Sequence, residues 1–179
     1  ALAESKLVQS ISCLMLEANQ IGANGAQSFA TSLNLKNLET LFLDSNPIGP
    51  EGAEALARST CLPSLSALHM DSTGIGDQGV KAIAASQTLS KIEKLYLCSN
   101  KIGDEGAIAL SQSPNLSHLT CLSIWRNEIR DAGGKAIAES NHFLKLERLY
   151  MSLNLIEKPT RKLIRASDMA SRLKTLVMD

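Results

Sequence analysis

Residues 92–110 read IEKLYLCSNKIGDEGAIAL, and this stretch decides the fold. Leu95 and Leu97 alternate with Lys94, Tyr96 and Cys98, the period of two of a short strand with one buried face. Asn100 follows at the turn, where a short amide can bond the backbone groups that a bend leaves unpaired. Ile102 then plugs the core, and Gly103 and Gly106 flank the start of a helix. Ala107 and Leu110 open its apolar stripe at helical spacing. One strand and one helix cannot bury their own apolar faces alone.

Outward from this stretch, the phrase LxxLxLxxNxI returns every 27 residues in both directions. Ile11, Leu38, Leu65, Ile92, Leu119, Leu146 and Leu173 open its successive copies. The helical stripe returns as Ala26, Phe29, Ala30, as Ala53, Leu56, Ala57, and as Val80, Ile83, Ala84. Leu62, Leu89, Leu116 and Phe143 close the repeats, and Asn19, Asn46, Asn100, Asn127 and Asn154 make a ladder that Thr73 interrupts. A fixed period of this length marks a solenoid, in which each copy is buried by its neighbours.

The predicted fold is therefore α/β, a parallel sheet with helices outside. Helices are about 10 Å wide and strands about 4.8 Å apart, so the stack curves, strands concave and helices convex. A single solenoid over residues 1–179 is expected, with six full strand–helix repeats from residue 11 and a terminal strand at 173–179. Ala1 to Ser5 match Ala55 to Ser59, the end of a helix, and Asp179 falls at the position of Asp44, inside a strand. Both ends are thus expected to lie mid-repeat, in a fragment of a longer protein.

Lys+Arg and Asp+Glu both number 18, and this zero net charge argues against a nucleic-acid partner, which calls for a basic excess. No apolar run approaches the roughly 20 residues that span a bilayer, and no signal peptide is present, so no membrane association is expected. The repeat register keeps Cys13, Cys61, Cys98 and Cys121 out of bonding range, and four free thiols suit a reducing compartment.

The set Leu95, Leu97, Asn100, Ile102, Gly103, Gly106, Ala107 and Leu110 resembles the leucine-rich repeats of the ribonuclease-inhibitor-like class. Similar repeats occur in the sensor regions of NOD-like receptors, in the GTPase-activating protein of Ran and in effectors of intracellular bacteria. The resemblance covers the whole chain. It implies a horseshoe that binds protein.

The residues locate the binding face. Alternation places Met15, Phe42, His69, Tyr96, Ser123, Tyr150 and Val177 in the central concave column. Glu17, Asp44, Asp71, Cys98, Trp125, Ser152 and Asp179 form the next one. Four of the six Phe, Tyr and Trp residues therefore point away from the core and are expected to be exposed, including the only Trp. Exposed aromatic rows usually have a partner. Glu17, Asp44 and Asp71 line up as a carboxylate ladder at one end, while Lys94, Arg126 and Arg148 lie toward the other, which suits a ligand with a matching charge gradient. The candidate protein-binding residues are these six with Met15, Phe42, His69, Tyr96, Trp125 and Tyr150.

The sixth repeat departs from the pattern. Arg161 stands at the Ala26 position, so the helix there is expected to rotate, shift or pull away, since an Arg is not buried unpaired. Lys158, Arg161, Lys162 and Arg165 make this helix a second, basic docking surface to weigh. No catalytic or phosphate-cradling motif is present, and His69, His118 and His142 fall in columns too distant to converge. A metal site of His69, Asp71 and Cys98 is conceivable on adjacent strands, but exposed strand residues of this mix ordinarily face solvent. The sequence thus reads as a non-catalytic interaction module without cofactor or metal, acting in the cytoplasm or, as a bacterial effector, in a host cell's cytosol. The alternative is the substrate-recruiting region of a larger enzyme or GTPase regulator.

Overall fold

The computed structural model describes residues 2–179. Seven short strands stack in sequence order into one parallel sheet: β1 (Cys13–Met15), β2 (Thr40–Phe42), β3 (Ala67–His69), β4 (Lys94–Tyr96), β5 (Cys121–Ser123), β6 (Arg148–Tyr150) and β7 (Thr175–Val177). Each pair is in register at the 27-residue period, as in Leu68 opposite Leu95 and Leu95 opposite Leu122. Between the strands run α1 (Ala23–Ala30), α2 (Gly49–Ala57), α3 (Gly76–Ala85), α4 (Asp104–Ser111), α5 (Asp131–Ala138) and α6 (Lys158–Arg165), with a short α7 (Asp168–Arg172) before β7. Leu41, Leu68, Leu95, Leu122 and Leu149 point from the sheet into a continuous core and are fully buried. Ala53, Leu56, Val80, Ile83, Ala107 and Leu110 meet them from the helices.

Three ladders of polar side chains tie neighbouring repeats together. The first is the asparagine ladder, and each rung reaches back to the repeat before. The Asn46 side-chain oxygen accepts from the N–H groups of Asn19 (2.9 Å) and Ile21 (2.8 Å), and its amide donates to the Leu16 carbonyl (2.8 Å). Asn127 does the same for Asn100, Ile102 and Leu97. Thr73 breaks the series. Its hydroxyl donates inside its own turn to the Met70 carbonyl (2.7 Å), and the tie to the preceding repeat passes to the Thr73 carbonyl, which accepts from Gly49 N–H (3.0 Å).

The second ladder caps helices across repeats. The Asp77 carboxylate accepts from the N–H groups of Gly103 (2.7 Å) and Gly106 (3.0 Å) at the start of α4. Asp104 serves Arg130 and Gly133 of α5 (both 2.8 Å), and Asp131 serves Glu157 before α6 (2.9 Å). None of these helices has a capping bond from its own N-cap residue, so the preceding repeat supplies the acceptor and a favourable negative charge. The third ladder closes helix C-termini. Ser59, Ser86, Ser113 and Ser140 donate to the carbonyls of Ala30, Ala57, Ala84 and Ser111 in the preceding repeat, at 2.5–2.6 Å.

The glycines of the repeat allow this close stacking. A Cβ on Gly106 would come within 2.5 Å of the Asp77 carboxylate and 2.8 Å of Ile102 Cγ2. On Gly133 it would meet Asp104, Ile129 and Ala107, all within 2.9 Å.

Two expectations need correction. Residues 2–4 form a turn rather than the end of a helix, followed by a 3-10 segment Lys6–Ser10; Ala1 lies outside the described residues. The strands are also shorter than predicted, so Asp44 and Asp179 lie beyond them. The residue after that column has a left-handed backbone in every repeat, with φ of 54–57° at Ala18, Ser45, Ser72, Ser99, Arg126 and Leu153, and this bends the chain out of the sheet. Pairing bonds persist to that bend, as from Ser45 N–H to the Asp71 carbonyl (2.8 Å).

The sixth helix forms and is rotated. Thr160 and Ile164 face inward, and Arg161 is swung to the side, where its Nη1 donates to the Asp179 carbonyl (3.0 Å). Thr160 occupies the position that is glycine in five earlier repeats, from Gly25 to Gly133. A side chain there is incompatible with the close stacking of α2 to α5, so rotation serves both substitutions.

Candidate functional site

The concave face is built from three side chains per repeat: the first and third residues of each strand, and the residue two further on. In the central column, Phe42, His69 and Tyr96 are half-buried, because they stack on one another. The ring centroids are 4.0 Å apart for Phe42–His69 and 4.1 Å for His69–Tyr96, with the planes 28° and 13° from parallel. These rings are not the open anchors that alternation alone suggested. A parallel register brings like positions one strand spacing apart, and flat side chains fill that spacing by stacking. Tyr96 is fixed at its far end as well, since the Cys121 thiol donates to its hydroxyl (3.7 Å). Burial pushes the Tyr96 hydroxyl up to about 12.

Trp125 and Tyr150 behave differently. Neither stacks on another ring, and Trp125 retains 40% of its exposure. Met15, at the other end, is also exposed. Leu153, which sequence reasoning passed over, is a further exposed apolar residue: it is 52% exposed and sits one repeat on from Arg126 in the bend column. Its periodic position was readable, but nothing in the repeat pattern marks the bend column as exposed.

The charged residues divide into spent and free groups. The Asp44 carboxylate accepts from Asp71 N–H (2.7 Å), and that of Asp71 from Cys98 N–H (2.6 Å). Both groups are half-buried, and desolvation pushes both above their ordinary value. These two rungs therefore bind the next repeat's backbone rather than standing open to a cationic ligand. Glu17 ends the ladder without such a bond. Lys94 and Arg126 are exposed, Arg148 is half-buried, and among the described residues no carboxylate pairs with any of the three.

Small residues lie between the large ones. Cys121 stands between Lys94 and Arg148 in the register, and Ser123 between Tyr96 and Tyr150; both are buried. The Cys98 and Ser123 side chains bond at 3.0 Å, and burial pushes the Cys98 thiol up to about 11. Cys98 and Cys121 are thus inert packing rather than open chemistry.

Among the described residues, no three His, Cys, Asp or Glu side chains gather so as to hold a metal ion. His69 is sandwiched between rings, while the Asp71 carboxylate lies against Cys98, so the three side chains do not gather on one point. An open hollow of about 510 Å³ lies on the convex side, lined by Gln27, Glu51, Glu54 and Arg58; it is polar and sits away from the aromatic residues. The basic side chains of α6 border a groove of about 310 Å³, but Arg161 and Arg165 both donate to backbone carbonyls of residues 178 and 179. No helix among the described residues is long and apolar enough to cross a membrane.

The family model described as leucine rich repeat matches residues 33–57, 61–84, 88–111 and 115–138, together more than half of the chain. No curated protein matches the chain in sequence.

Proposed function

The chain belongs to the leucine-rich repeat family, and from that premise we propose that its concave sheet binds a protein partner. Repeats of this family generally mediate protein–protein interaction and are typically non-catalytic. The observation that carries the reading is the open C-terminal half of the concave face. Trp125 is exposed and unstacked there, on the same face as three cations without carboxylate partners. Aromatic and cationic residues that are neither packed nor paired at home are the usual energetic anchors of an interface. The 27-residue period, with a helix in each repeat, supports the ribonuclease-inhibitor-like class. All four cysteines are free thiols, which supports a reducing cytosol as the setting, the cell's own or that of a host.

The test is affinity capture from cytosol with the wild-type chain and a Trp125→Ala/Tyr150→Ala variant whose circular dichroism is unchanged. Neither ring supports another ring, so their loss leaves the fold intact. We expect the variant to lose the captured partner. Undiminished capture would place the binding surface elsewhere, with the basic α6 next to be examined.

A further inference from the structure

We propose that the basic face of α6 is a second docking surface, apart from the concave sheet, and that it takes a phosphorylated side chain of a partner protein. The rotation of α6 builds this surface. With Thr160 and Ile164 turned inward, Lys158, Arg161, Lys162 and Arg165 follow at i, i+3, i+4 and i+7 and so share one face. That face borders a groove of about 310 Å³, whose lining Asp179 completes. Column by column, this is where the repeat changes sign. Lys158 stands at the position of Asp77, Asp104 and Asp131, which cap the next helix. Arg161 and Arg165 stand at the positions of Ala107 and Ser111, which are buried.

Charge and geometry select the occupant. Among the described residues none of the four cations pairs with a carboxylate, so their mutual repulsion is unrelieved within the chain. The Asp179 carboxylate accepts from Leu153 N–H at 2.7 Å, and one carboxylate against four cations leaves the groove positive. Arg161 donates to the Asp179 carbonyl (3.0 Å) and Arg165 to the Met178 carbonyl (2.8 Å). Each guanidinium is thereby oriented through one nitrogen and keeps its other donors for a ligand. Two oriented guanidinium groups and two flexible ammonium groups suit a tetrahedral dianion, whose oxygens accept several charge-assisted bonds at once. A carboxylate offers one charge and two oxygens. The groove has room for a side chain rather than a duplex, and the zero net charge supplies no wider basic field for nucleic acid. Repeats of this family generally bind proteins, which makes a phosphorylated side chain the source of the dianion.

Fluorescence anisotropy of a labelled Gly-Ser-Gly-phosphoserine-Gly-Ser-Gly peptide, titrated with the whole chain, tests the proposal. Binding should be saturable and weaken in high salt. It should tighten as the pH rises through about 6, where the phosphate takes its second charge. The unphosphorylated peptide, and one with glutamate in place of the phosphoserine, should bind about tenfold more weakly or worse. Lys158→Gln/Lys162→Gln removes two exposed side chains that make no bond in the structure, and should weaken binding about tenfold with circular dichroism unchanged. Trp125→Ala/Tyr150→Ala should bind the peptide as the wild type does, which separates this surface from the concave face. The proposal is overturned by absence of saturable binding, by equal binding of the unphosphorylated peptide, or by full binding to Lys158→Gln/Lys162→Gln. Loss of binding in Trp125→Ala/Tyr150→Ala would move the phosphate to the concave face and overturn it too. Binding of phosphatidylserine vesicles without binding of the peptide would assign the basic face to a membrane surface instead.

Discussion

Asp71 shows how the structure reassigns a residue. By column it belongs to a surface carboxylate ladder; in the fold it accepts a backbone N–H from the next repeat while half-buried. Desolvation outweighs that bond and pushes its carboxyl above the ordinary 3.8. The folded state therefore holds this proton more tightly than the unfolded state, and the ionised form costs stability once the pH exceeds the raised value. Asp71→Asn keeps an acceptor oxygen and removes the charge. It should raise the melting temperature at neutral pH, with the gain vanishing below pH 3.8; a fall of several degrees at neutral pH would show that the charge itself holds Cys98. His69 has the opposite sign. Burial between rings pushes it below 6.5 despite the nearby Asp44 and Glu17. As pH falls through 6.5, the unfolded state takes the proton first and stability is lost. His69→Phe preserves the stack and should flatten the fall of denaturant midpoints as the pH drops below 6.5. An unchanged slope would assign the loss to another group.

At the scale of the element, each helix depends on the repeats beside it. Ser59 alone closes the Ala30 carbonyl at the end of α1, and its oxygen also accepts from Cys61 N–H (3.1 Å). Ser86 shares the corresponding carbonyl, that of Ala57, with Thr88, whose hydroxyl donates at 2.9 Å. The residue two after the serine decides whether a substitute donor exists, and Cys61 supplies none. Ser59→Ala should therefore cost about 1–3 kcal/mol, the penalty of a buried carbonyl left unpaired. Ser86→Ala should cost clearly less, because Thr88 takes over. Equal urea-melt losses for the two variants would show that the serines act by packing alone. The aspartate caps add an asymmetry along the array. Asp77, Asp104 and Asp131 cap α4 to α6 from the preceding repeat, whereas Ala23 and Pro50 occupy the equivalent positions ahead of α2 and α3.

Across the whole molecule, the thiols report the integrity of the stack. Cys13 is exposed, Cys61 half-exposed, and Cys98 and Cys121 are buried in the concave wall. In the native chain a thiol reagent should modify Cys13 fastest and Cys61 more slowly. Cys98 and Cys121 should react only on unfolding, in step with the loss of circular dichroism. Reaction of either in the native state would show that the β4–β5 wall opens locally. The 27-residue period by itself determined the parallel sheet, the register, the core leucines and the asparagine ladder, because each follows from side-chain alternation repeated without a slip. It also placed the candidate residues on one face, since column position is set by the same alternation. The tertiary structure alone decided which of them stand open. Stacking of Phe42, His69 and Tyr96, and capture of backbone N–H groups by Asp44 and Asp71, depend on what lies one strand away and on how deeply it is buried. The helix caps were hidden for the same reason: an aspartate that serves the next repeat's helix lies 26–29 residues from its partners, where no local capping signal can show it.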